Sequence, residues 1–172
     1  MKTIVNAAVL AAALAIGSGV ATAQPTLDQG WEADIIPAPV GSISGDSPLL
    51  FTLGEAAYFS IVDGASIGDV YQVIDNSTSS VILTTAFTPL PVNFPEGLGD
   101  TDGDTVWGSG DWSEGQILLA PGSYSLNIQQ TASVDGNPAI LYDRLDSVPE
   151  PASMALFGIG LAGLAYIRRK RA

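Results

Sequence analysis

The sequence predicts an all-β fold: an antiparallel β-sandwich or jelly-roll-like domain over residues 24–147, flanked by an apolar helix at each end. Three observations carry that expectation. Short apolar runs recur between turn signals made of Gly, Pro, Asn and Asp. Ser123 to Thr131 alternates, with Tyr124, Leu126 and Ile128 on one face and Ser125, Asn127 and Gln129 on the other, the period of two of a half-buried strand. No part of 24–147 sustains the 3.6-residue period of an amphipathic helix.

The strands follow in order. Leu49 to Leu53 and Ala56 to Val62 are apolar runs split by Gly54 and Glu55. Gly68-Asp69 turns the chain into Val70 to Asp75, and Asn76-Ser77-Thr78 turns it into Val81 to Ala86. A loop rich in Pro, Gly and Asp runs from Thr88 to Gly115. Gln116 to Leu119 is a strand closed by Ala120-Pro121-Gly122, and Ser123 to Thr131 follows. Asp135-Gly136-Asn137 then turns into Ala139 to Asp143. Roughly seven or eight strands with such punctuation suit a sandwich or jelly roll.

The two ends read as address signals. Residues 1–23 have a basic Lys2, an apolar stretch from Ile4 to Ile16, helix-breaking Gly17 to Gly19, and Ala21-Thr22-Ala23 as a small-x-small site. That order is a secretory signal peptide cut by signal peptidase before Gln24. At the other end, residues 152–167 carry no charge and run straight into Arg168, Arg169, Lys170 and Arg171. Sixteen helical residues span roughly 24 Å, slightly short of a hydrocarbon core of about 30 Å, a gap that local thinning covers. The four cations are expected to stop transfer and stay cytoplasmic. Residues 148–151 carry Pro149, Glu150 and Pro151, which force an extended segment ahead of the apolar run.

Charge is segregated. One basic residue, Arg144, stands against seventeen acids between residues 24 and 147, which leaves −16 there. Such a surface repels phosphate backbones, so no nucleic-acid partner is expected. The chain has no Cys and no His. It therefore lacks disulfides, the commonest general base and the commonest transition-metal ligand.

The stretch VPEPASMALFGIGLAGLAYIRRKRA, residues 148–172, resembles the PEP-CTERM sorting signal: Pro-Glu-Pro at Pro149, Glu150 and Pro151, a short apolar helix, then an Arg-rich tail. The resemblance implies recognition by an exosortase, a membrane cysteine transpeptidase-like enzyme, in an envelope bacterium that makes exopolysaccharide. The three motif residues would be that enzyme's substrate. A second, looser resemblance covers about residues 58–145. GDVYQVID, the Thr84-Thr85 pair and APGSYSLNIQQTA are similar to the β-sandwich ectodomains often paired with this signal. That implies a fold and an extracellular setting, and no activity.

Two constellations bear on chemistry. Asp100, Asp102 and Asp104 alternate in a Gly-bearing loop, with Asp111 and Glu114 further along it. Alternate carboxylates can converge on Ca²⁺, a hard cation that takes six to eight oxygen ligands. The EF-hand pattern is met only in part, because Thr105 and Asp111 stand where Gly and Glu are required. The alternative is a solvated acidic loop. Trp107 and Trp112 lie in the same loop and can stack on sugar rings; the alternative is that one or both cap the core. Trp31 is expected to pack. No His, Cys or Lys lies between residues 24 and 147 to activate a nucleophile.

The expected role is a non-catalytic exported surface or matrix protein. The precursor would be anchored in the inner membrane with a periplasmic domain, sorted by exosortase and associated with exopolysaccharide or biofilm. The alternatives are a Ca²⁺-dependent lectin-like module and, behind it, a small carboxylate-pair hydrolase.

Overall fold

The computed structural model describes residues 24–64, 66–89, 102–134 and 136–149. The expected signal peptide over 1–23, the apolar run over 152–167 and the basic tail lie outside these residues. Among the described residues no helix is long and apolar enough to cross a membrane.

The described residues form eight strands in two four-stranded sheets. They are β1 (Glu32–Ile36), β2 (Leu49–Leu53), β3 (Ala57–Asp63), β4 (Val70–Asp75), β5 (Ser80–Thr84), β6 (Glu114–Leu119), β7 (Gly122–Ala132) and β8 (Ala139–Ser147). One sheet runs β1-β8-β3-β6 and the other β2-β7-β4-β5. Every strand pair is antiparallel. Each strand lies beside the one counted equally far from the other end of the chain: first with last, second with second-last, and inward to the β4–β5 hairpin. A long antiparallel hairpin rolled over on itself gives that order, which is a jelly roll.

The alternation read in the sequence sets the layers. On β7, Leu126 and Ile128 are buried, while Ser125, Asn127 and Gln129 sit half-exposed on the outer face. Leu49, Leu53, Phe59, Ile61, Tyr71, Val73, Leu126, Ile128, Leu141 and Leu145 fill the space between the sheets. The outer face of the β1-β8-β3-β6 sheet carries a second cluster, in which Val62 and Tyr142 pack against Ile67, Val106 and Trp112. Residues 106–112, between β5 and β6, therefore cover part of that face.

The structure adds two elements to the sequence reading. Strand β1 pairs with β8 over its whole length, yet its inward positions are Asp34 and Ile36. An acid where an apolar residue is sought hides the alternation. A single helical turn, α1 (Gly103–Val106), lies inside the expected loop and is too short to show a period. Strand β8 also runs to Ser147, beyond the expected Asp143, because β3 pairs with it as far as Ser147.

Buried polar groups explain the GDVY and Thr-Thr stretches. Gly68 adopts φ +104, and a Cβ there would stand 2.4 Å from Val134 Cγ2, so the turn into β4 calls for glycine. The next residue, Asp69, accepts from Gln130 Nε2 at 2.9 Å and from the Val134 amide at 3.3 Å. The Tyr71 hydroxyl donates to Asp63 Oδ1 at 3.0 Å. Burial first, then the charges of Asp63 and Asp69, push the Tyr71 phenol far above its ordinary range, so it stays a neutral donor. Thr85 Oγ1 accepts from the Tyr71 amide at 3.0 Å and from Ser113 Oγ at 2.6 Å. These groups tie β3, β4 and β7 to the chain on either side of the long loop.

Candidate functional site

The outer face of the β1-β8-β3-β6 sheet brings together the aromatic and charged side chains of Trp31, Trp107, Asp104, Arg144 and Asp146. Alternation along β8 turns Asp143 inward and Arg144 outward. Arg144, the one cation between residues 24 and 147, lies with Cζ 4.2 Å from the centre of the Trp31 ring and 6.0 Å from that of Trp107. The two indoles stand 5.3 Å apart, tilted by 50°. Guanidinium over indole is an attractive arrangement, because the ring face is the negative end of its quadrupole.

Three described acids of the long loop, Asp102, Asp104 and Glu114, are occupied within this framework. Asp102 caps α1, accepting from the Thr105 amide at 2.7 Å. Hydrogen bonds from Thr105 hold the Asp102 carboxyl below the usual range. Asp104 Oδ1 accepts from Trp31 Nε1 at 3.0 Å and lies 3.8 Å from Arg144 Nη1. Arg144 Nε also meets Asp146 Oδ2 at 2.7 Å. Glu114 Oε2 accepts from the Gly108 amide at 2.7 Å, and Asp111 is exposed. Gly103 lies flat under Trp31, where a Cβ would come within 2.3 Å of Trp31 Cγ. The turn and the indole are thus fitted to one another.

Of the sequence-predicted calcium ligands, Asp102 and Asp104 serve the cap and the Trp31 contact, Asp111 stands in solvent, and Asp100 lies outside the described residues. Among the described residues no three acidic side chains are grouped to hold a metal ion. Of the two glycan candidates, Trp107 is half-buried beside Trp31, whereas Trp112 is only 6% exposed and belongs to the second core cluster. Trp112 follows the core-capping alternative left open by the sequence, and no indole face is offered there to a sugar. The partner of Trp107 is Trp31, which sequence reading assigned to packing alone. Nothing in the linear spacing links the two: β1–β8 pairing sets Trp31 beside Arg144, and the α1 turn brings Trp107 to the same face.

The sorting segment begins where β8 ends. The Ser147 amide donates to Asp28 Oδ1 at 2.8 Å, which pins the last strand residue. Val148 and Pro149 then emerge exposed, as the sequence anticipates, while Glu150 and Pro151 lie outside the described residues. No curated protein and no solved structure matches the chain. Residues 147–171 match the PEP-CTERM protein-sorting motif. That match marks the chain as an exported, exosortase-processed protein of the cell surface.

Proposed function

We propose that the sandwich is a non-catalytic component of the extracellular matrix, retained after exosortase processing by association with exopolysaccharide. The observation that carries this reading is the continuity of β8 with the sorting motif, since the cargo the motif delivers is this jelly roll. The composition supports it: residues 24–147 offer no His, Cys or Lys, and Asp34, Asp63, Asp69 and Asp143 are buried in the body of the sandwich. The −16 charge of the same span keeps it soluble in a crowded matrix.

Ca²⁺-dependent glycan binding is the second reading. What favours it is the half-buried Trp31–Trp107 pair beside Arg144, two indoles 5.3 Å apart on the outer face of the sheet. Surface retention of the protein is expected to fall several-fold in cells unable to make exopolysaccharide. Equal retention in such cells would defeat the matrix reading. A glycan array run in Ca²⁺ and in EDTA separates the second reading from the first.

A further inference from the structure

The outer face of the β2-β7-β4-β5 sheet is free of charge. Leu49, Tyr71, Val73, Leu126 and Ile128 turn into the core, so alternation turns their neighbours outward. Register lines those neighbours up in rows across the strands. Ile43, Gln129, Gln72 and Thr84 form one row, about 14 Å long at the usual strand spacing of about 4.8 Å. Asn127, Ile74 and Val81 form the next. Leu50 lies opposite Ser125, and Thr52 opposite Ser123. None of these outward residues is Asp, Glu, Lys or Arg, although residues 24–147 hold seventeen acids. At the margin, Asp75 closes β4 and accepts from the Ser77 amide in the turn at 2.8 Å. The outer face of the other sheet, by contrast, carries Arg144, Asp104 and Asp146.

The polar side chains of this face are held in place by one another. Asn76 Nδ2 donates to Ser125 Oγ at 3.1 Å and to Asn127 Oδ1 at 3.0 Å. Thr52 Oγ1 and Ser123 Oγ lie 3.0 Å apart. Gln129 Nε2 donates to the Gly41 carbonyl at 2.7 Å. Side chains already ordered lose less rotamer freedom when a ligand arrives. Apolar surface is interleaved with them: Leu50 is 59% exposed and Val81 50% exposed, and Ile74 is half-buried between Asn127 and Val81.

We propose that this charge-free face is the surface by which the sandwich holds a neutral polysaccharide, lying across the strands along the Gln129–Gln72–Thr84 row. The proposal rests on the matrix reading above and names the contact surface and the polymer class. Amides and hydroxyls both donate and accept, which matches sugar hydroxyls that do the same. Leu50, Ile74 and Val81 offer apolar surface to sugar C–H groups. Neutral polar groups also cost far less to desolvate than charges. A polyanionic chain is repelled by the −16 span as a whole, whereas a neutral chain meets no such field. A row that crosses four strands suits a polymer rather than a single sugar. The face is separate from the Trp31–Trp107 pair, which lies on the other sheet.

The test is affinity electrophoresis of the full chain in mild detergent and EDTA, through gels holding the neutral or the acidic fraction of exopolysaccharide purified from native cells. Retardation is expected in the neutral fraction and not in the acidic one. Gln72→Glu with Asn127→Asp keeps side-chain size and leaves position 127 able to accept from Asn76, yet it charges the face. Apparent affinity of that variant should fall about tenfold or more. Thr26→Glu with Gln29→Glu, at exposed positions outside the strands, adds the same charge and should leave retardation as in wild type. Should the first pair not fold, Thr52→Glu with Thr84→Glu, at exposed positions of the face, should give the same loss. A wild-type chain that ignores the neutral fraction overturns the proposal, as does retardation that survives the charged face. An Asn127→Cys chain that crosslinks to a second copy without polysaccharide would assign the face to self-association and overturn it too. Retention that depends on exopolysaccharide in cells, yet is unchanged by Gln72→Glu with Asn127→Asp, would sink this face and leave the matrix reading standing.

Discussion

Trp112→Ala lowers the stability of the sandwich by about 3–5 kcal/mol, the range for removing a buried aromatic. Trp112 sits among Val62, Ile67, Val106 and Tyr142 on the outer face of the β1-β8-β3-β6 sheet. Deleting the indole uncovers that sheet face and leaves a cavity that the short α1 turn cannot fill. A small domain has about 5–15 kcal/mol in total, so the variant approaches the limit of folding. Trp107→Ala, at a half-buried position, costs about 1 kcal/mol, near the mean for single substitutions. The urea midpoint of each variant against wild type measures the difference. Equal midpoints for Trp112→Ala and wild type would mean that the long loop does not cover the sheet as described.

Tyr71→Phe is expected to cost about 1–3 kcal/mol, because a buried carboxylate loses a donor. The hydroxyl lies 3.0 Å from Asp63 Oδ1 in a fully buried setting. The ring itself is conserved by the change, so packing contributes little to the loss. Pairing Tyr71→Phe with Asp63→Asn in a double-mutant cycle isolates the contact. A Tyr71→Phe protein as stable as wild type would show that the carboxylate finds another donor without cost.

The sheet architecture was legible wherever inward positions are apolar. Leu49–Leu53 and Val70–Asp75 match their expected bounds, and β7 alternates as its sequence alternates. Reading failed where chemistry replaces an apolar residue. Asp34 hides the alternation of β1, and Asp143 interrupts that of β8, which continues four residues past it to Ser147. Both acids are buried between the sheets. The acidic loop was legible as composition but not as geometry. Alternate acids in sequence suggest one shared ligand, yet a cap at Asp102 and an indole at Asp104 draw the two side chains to different partners. The Trp31–Trp107–Arg144 group was not legible at all, because its members lie on separate elements brought together by register. The sorting segment was the easiest part to read, since its signal lies in linear order and needs no fold.

Intact-mass analysis of the protein recovered from fractionated native cells shows whether the sorting segment is removed. A mature chain is expected that begins at Gln24, lacks the residues beyond about Pro151 and is found at the cell surface or in the matrix. Glu150→Ala should instead hold the unprocessed, Arg-tailed precursor at the inner membrane. Full-length wild-type protein recovered as a stable membrane resident would show that the sorting segment is not removed.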